Sequence, residues 1–67
     1  MSKFSERLKE LRIERGLSQD KISLLTGISQ STISSYESKR IKPTDEVIIT
    51  FCKFFKVSAD YLLGLVD

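Results

Sequence analysis

Between Gln30 and Ser38 the chain reads QSTISSYES, and the chemistry of that stretch is hydrogen bonding without charge. Gln30, Ser31, Ser34, Ser35 and Ser38 recur at three- and four-residue spacing, which sets them on one face of a helix, while Ile33, Tyr36 and Glu37 share the other. A glutamine amide offers a donor and an acceptor side by side, and a hydroxyl can act as either. A helix that faces only water normally carries Glu and Lys, which favour both helix and solubility. Serines are poor helix formers, so this face is shaped by what it touches; the plain alternative is an ordinary polar surface. Directly after it comes Ser38-Lys39-Arg40-Ile41-Lys42, a basic loop closed by Pro43, for which the alternative is a merely solvated loop. A neutral hydrogen-bonding face beside a group of cations suits a polyanion with patterned base edges. The helix is expected to lie in the major groove of DNA.

Bond-making chemistry has little to work with. The 67 residues include no histidine and one cysteine, Cys52, so no disulfide can close within the chain and no zinc-type ligand set exists. Asp20, Asp45, Glu46 and Asp60 are the available carboxylates, and first-turn positions on helices account for them. An enzyme is not expected, and neither is a metal, a cofactor or a small-molecule ligand. No apolar run is long enough to span a membrane and the N-terminus MSKFSERLKE has no signal-peptide core, so the expected location is the cytoplasm. Net charge is +2, but Met1 to Lys42 carries nine Lys/Arg against five Asp/Glu, while Pro43 to Asp67 carries two against four. Positive charge thus accompanies the polar helix.

Five helices are needed to hold that face. Ser5 is the expected cap of the first, Ser5 to Arg15, with Phe4, Leu8, Leu11 and Arg15 forming an inward stripe and Arg12 on its flank. Gly16 stops it. Ser18 caps a second helix running to Thr26, with Ile22 and Thr26 inward and Ser23 small enough for close packing. Gly27 ends it, Ile28 plugs the core from the turn, and Ser29 caps the third helix. Thr44 caps a fourth that runs to about Lys56 with Ile48, Phe51, Cys52 and Phe55 inward. Ser58 caps a short fifth, ADYLL, stopped by Gly64. The expectation is one all-α, compact five-helix domain over residues 1–67, with the helix-turn-helix at about residues 18–37.

GLSQDKISLLTGISQSTISSYESKRIKPT resembles the helix-turn-helix of the lambdoid phage repressor and Cro class, also called the XRE family. The likeness runs from LKELRIERGLSQ to VSADYLLG, and its combined spacing is specific where each piece alone is weak. The resemblance implies a lambda-repressor-like fold and sequence-specific DNA binding by a small transcriptional regulator of the repressor type. By matching positions, Gln30, Ser31, Thr32, Ser34 and Ser35 are the base-reading candidates. Gln19, Ser29, Ser38, Lys39, Arg40 and Lys42 are the phosphate-binding candidates. Arg12 and Glu37 match a pair that ties the first helix to the end of the third. A glutamine amide fits the adenine edge, so Gln30 favours an A·T pair. With no Arg or Lys on the reading face, specificity is expected to draw partly on DNA shape.

Two features depart from the pattern. Leu24 and Leu25 are adjacent on the second helix and cannot both enter one core. The end, Leu62-Leu63-Gly64-Leu65-Val66, is strongly apolar. Leu63, Leu65 and Val66 are expected in a two-fold homodimer interface, the resemblance implying recognition helices one DNA turn apart, ~34 Å, on a symmetric operator. The alternative function is a protein-binding adaptor or antitoxin-like module docking through Leu24, Leu25 and the apolar end.

Overall fold

A computed structural model describes residues 2–67, and among these it holds five helices and no strand. They are α1 (Phe4–Glu14), α2 (Gln19–Thr26), α3 (Gln30–Glu37), α4 (Asp45–Phe55) and α5 (Ala59–Leu63). Four of them begin as their sequences dictate. Ser18, Ser29, Thr44 and Ser58 each adopt extended backbone angles and accept a hydrogen bond from the amide three residues on, at 3.0–3.2 Å. Each cap satisfies one of the amides that a helix start leaves without a partner.

The first helix corrects the expectation. Ser5 lies inside α1, and the capping position falls to Lys3, whose side chain makes no capping bond. Two long-range demands override the local signal. The Lys3 amide donates to the Leu63 carbonyl at 3.1 Å, tying the start of α1 to α5. Phe4 must also be helical to stand one turn ahead of Leu8, and all three of Phe4, Leu8 and Leu11 are buried. Arg15 departs from its expected place in that stripe, being exposed at the end of α1. Its Nη2 donates to the Phe55 carbonyl at 2.8 Å, filling an acceptor that the end of α4 leaves open.

The core gathers Phe4, Leu8 and Leu11 from α1, Ile22 from α2, Ile33 and Tyr36 from α3, Phe51 and Phe55 from α4, and Leu62 from α5. Its centre is aromatic. Phe4 and Phe51 both meet Tyr36 edge-on, with centroids 5.7 and 6.4 Å away, a geometry the ring quadrupole favours. The rear of α3 is thereby gripped from two helices. Burying each such ring contributes roughly 1.5–3 kcal/mol, which is what holds an eight-residue helix that would not persist alone.

Gly16, Gly27 and Gly64 take the left-handed backbone expected of helix stops. Two lysines do the same: Lys39 after α3, at φ 65°, and Lys56 after α4, at φ 59°. α4 thus ends at Phe55, one residue before the expected bound. A side chain in that region crowds the following carbonyl, at a cost of about 1 kcal/mol. Lys56→Gly should therefore raise stability by about 0.5–1 kcal/mol and lift the melting temperature by a few degrees in calorimetry.

Candidate nucleic-acid interface

The turn between α2 and α3 is three residues, Gly27 to Ser29. Gly27 turns the chain at φ 79°, and Ile28 packs on the core. Thr26 stitches the corner, its hydroxyl donating to the Ile22 carbonyl at 2.7 Å and accepting from the Ile28 amide at 3.3 Å. α3 then leaves with its apolar side in the core and Gln30 and Ser31 exposed.

The other candidate readers are more engaged. Thr32, Ser34 and Ser35 are half-buried. The Thr32 hydroxyl accepts from Ser29 Oγ at 2.7 Å, and Ser31 Oγ lies 3.4 Å from the same serine. Ser38 is exposed, but its hydroxyl donates to the Ser35 carbonyl at 3.3 Å. The exposed part of the candidate face is therefore centred on the N-terminal turn of α3, with Thr32, Ser34 and Ser35 less open to solvent.

Behind that turn runs a chain of side chains that crosses three helices. Arg12 Nε donates to Glu37 Oε2 at 2.7 Å and Arg12 Nη2 to Glu37 Oε1 at 3.0 Å. Nη1 of the same guanidinium donates to the Leu17 carbonyl at 3.1 Å, fixing the α1–α2 connection. The two side chains are only 16% and 5% exposed. The hydrogen bond from Arg12 to Glu37, with the nearby charge, holds the Arg12 guanidinium above its already high pKa despite its burial, so it stays charged at any working pH. Glu37 Oε1 also accepts from Gln19 Nε2 at 3.1 Å, and Gln19 Oε1 accepts from Gln30 Nε2 at 2.6 Å. An ionised carboxylate can only accept, so Glu37 dictates which end of the Gln19 amide faces it. Gln19 in turn leaves its oxygen to Gln30. The outcome is a Gln30 head held from behind, with Oε1 and one N–H left for a ligand.

This links residues that sequence reasoning kept apart. Arg12 and Glu37 were expected to pair. Gln19, a phosphate-binding candidate, bridges Glu37 and Gln30 and is half-buried. Which α2 residue meets which α3 residue depends on the crossing of two helices, and no local pattern reports it.

After α3 the chain closes in a double turn. The Lys39 amide donates to the Tyr36 carbonyl at 3.2 Å and the Arg40 amide to the Ser35 carbonyl at 2.9 Å. Arg40 and Lys42 are exposed and have no ion-pair partner among the described residues. Lys39 instead pairs with Glu6 of α1 at 3.1 Å, a contact with no signal in the sequence. Elsewhere, Leu24 is 76% exposed and Leu25 52%: neither enters the core. Leu63 is half-buried against the core, whereas Leu65 and Val66 are exposed. Cys52 is half-buried, and burial pushes its thiol pKa up, away from nucleophile behaviour. Among the described residues no group of side chains could hold a metal, and no helix is long and apolar enough to cross a membrane.

A family profile described as "Helix-turn-helix domain" matches residues 5–67. The chain belongs to that family, in its XRE branch. Transcriptional activator BcrR of Enterococcus faecalis is 34% identical to this helix-turn-helix chain over 91% of it, and 30% of the activator is covered. The repressor RstR of a cryptic phage in Vibrio cholerae is 32% identical over 81% of the chain and 49% of the repressor. A crystal structure of a transcriptional regulator from Listeria innocua superimposes with a TM-score of 0.89 at 33% identity, spanning the whole chain and 63% of that protein. The chain spans 30–57% of the length of the curated relatives it matches. Fold and family are those of DNA-binding transcription regulators.

For this helix-turn-helix domain the Arg12–Glu37 pair carries a measurable cost of removal. Glu37→Ala strands a largely buried guanidinium and should destabilise by about 3–5 kcal/mol, whereas the paired change Arg12→Met with Glu37→Leu should cost far less. Urea unfolding of the three proteins checks both statements.

Proposed function

We propose that the chain binds double-stranded DNA sequence-specifically as the DNA-binding part of a transcriptional regulator, with α3 in the major groove. The observation that carries this reading is the exposed head of Gln30, steadied through Gln19 by the Arg12–Glu37 pair. A braced amide with a free acceptor and a free donor matches the N6 and N7 edge of adenine. Ser31 reads beside it, and Thr32, Ser34 and Ser35 line the flank nearest the sugar–phosphate wall. Ser29, Ser38, Lys39, Arg40 and Lys42 set height and register on the backbone, and Gln19 acts mainly through Gln30. Repression follows from occupancy alone, since a site covered by protein is closed to polymerase. The setting for this work is the bacterial cytoplasm.

Selection of bound duplexes from a random pool tests the core of the reading, because enrichment of a motif with an A·T pair at a fixed position is expected. On the winning duplex, Gln30→Ala should cost about 1–3 kcal/mol and relax one base position. Arg40→Ala should weaken all duplexes alike and lower the salt slope by about one unit. Identical behaviour of the two variants on matched and scrambled duplexes would overturn this division of roles.

The same proposal includes a homodimer on DNA built on Leu65 and Val66, with Leu63 beneath them. Two exposed apolar side chains at the end of α5, 71% and 50% exposed, support it. The Leu65 amide donates to the Asp60 carbonyl at 2.8 Å and closes α5, so substitution tests the interface more cleanly than truncation. Leu65→Ser with Val66→Ser should leave the melting temperature within a few degrees but abolish cooperative binding to paired half-sites ~34 Å apart. Sedimentation of the complex reads the change directly. A second reading, docking of a protein on α2, is favoured by the exposure of Leu24 and Leu25. It predicts partner binding that Leu24→Ser abolishes without changing DNA affinity.

A further inference from the structure

Among the described residues, Lys39 is the one cation of the basic loop with an anion partner, and the contact is built by unusual means. Its backbone is held left-handed at φ 65° by the turn that ends α3. From there its ammonium reaches 33 residues back along the chain to Glu6, at 3.1 Å. Both side chains are 56% exposed, so the pair is open to solvent and to exchange. Lys39 also borders an open, largely apolar cleft of about 410 Å³ between the start of α1 and the loop, which Phe4, Ile41 and Pro43 line together with Lys42.

We propose that Glu6 is an internal stand-in for a DNA backbone phosphate, and that docking exchanges the carboxylate for the phosphate at Lys39. The inference rests on the DNA-binding reading above and adds to it a residue, Glu6, on a helix that reads no base. The exchange is chemically easy. An ammonium is a compact charge on a flexible four-carbon stem, so it can turn from one oxygen anion to another with the backbone fixed. A surface ion pair is weak, so the carboxylate does not block the phosphate but competes with it. Glu6 thereby lowers the sequence-independent part of the affinity while leaving Gln30 untouched.

A double-mutant cycle in duplex binding, read by fluorescence anisotropy at several salt concentrations, tests the exchange. Glu6→Gln should tighten binding to matched and random duplexes alike by ~2–5-fold, the scale of a lost surface pair. Lys39→Gln should weaken binding and lower the salt slope by ~0.9, one phosphate contact. In the Lys39→Gln background the Glu6 change should have no effect, since the cation competed for is gone. If Glu6→Gln tightens binding equally in both backgrounds, Glu6 acts by general repulsion and the exchange is wrong. If wild type binds with a steep salt slope and Glu6→Gln changes nothing, the exchange is wrong while the DNA-binding reading stands. If no form binds any duplex at low salt, both fall. Both positions are exposed, and unchanged thermal unfolding of each variant ties the result to binding.

Discussion

The bidentate contact between Arg12 and Glu37 is the constraint on which the rest of the site depends. α3 is eight residues long, too short to hold its own shape in water, and half of its surface is made of residues that disfavour helix. Its apolar rear fixes its depth through Ile33 and Tyr36. The edge-on rings at Tyr36 set part of its orientation as well, but apolar packing directs no hydrogen bond. The guanidinium adds direction: two parallel hydrogen bonds to one carboxylate and a third to the Leu17 carbonyl bind α1, the α1–α2 connection and the end of α3 into one unit. A pair of apolar residues in the same space could equal or exceed its stability. It could not orient the Gln19 amide, and so could not decide which atoms Gln30 leaves free. The ion pair is better understood as a positioning device than as a source of stability.

The same division runs through the whole molecule. α4 contributes Phe51 and Phe55 to the core and packs Phe54 edge-on against Phe55, 4.9 Å between centroids. With Phe4 and Leu8 of α1 it makes the rigid mass against which α3 leans. Because that mass supplies the free energy, the outer face of α3 is released from the demands of helix propensity. Serines are tolerable there, where a helix relying on its own stability would carry Ala, Glu or Lys. Composition on the reading face is thus a consequence of where the core sits.

What could be read from the sequence is what is decided locally. The caps at Ser18, Ser29, Thr44 and Ser58 and the stops at Gly16, Gly27 and Gly64 are short-range chemistry, and each stands where its residue type demands. The core stripes of α1 and α4 follow from periodicity. The start of α1 was misread because a serine at position 5 is a good local cap, while the true boundary is set by Phe4 packing and by the bond from Lys3 to Leu63. Lys39 and Lys56 in left-handed backbone were invisible for the converse reason: nothing in a lysine announces that conformation. The Gln19–Gln30 and Glu6–Lys39 contacts were missed because each joins two helices, and their meeting depends on crossing angles that no single segment encodes. Arg12 and Glu37 were paired only through the family resemblance, not from their spacing.

On the proposed reading, charge and base contact are kept apart in this domain, and the separation has a physical reason. Lys39, Arg40 and Lys42 lie after α3, where they also complement the negative end of its dipole, and the residues proposed to face bases are neutral. A cation on the reading face would gain from any phosphate or guanine it approached, raising affinity for wrong sites nearly as much as for right ones. An uncharged amide behaves differently. Opposite an adenine, Gln30 exchanges its waters for two well-placed hydrogen bonds. Opposite another pair it loses those waters and leaves a donor or an acceptor unmet, at a cost of about 1–3 kcal/mol. Discrimination therefore comes from the penalty on a mismatch, and that penalty is full only if the amide cannot turn to find another partner. The bond from Gln30 to Gln19 restrains that turn, so on the proposed reading a contact hidden behind the helix bears on sequence preference as directly as the atoms that meet the base.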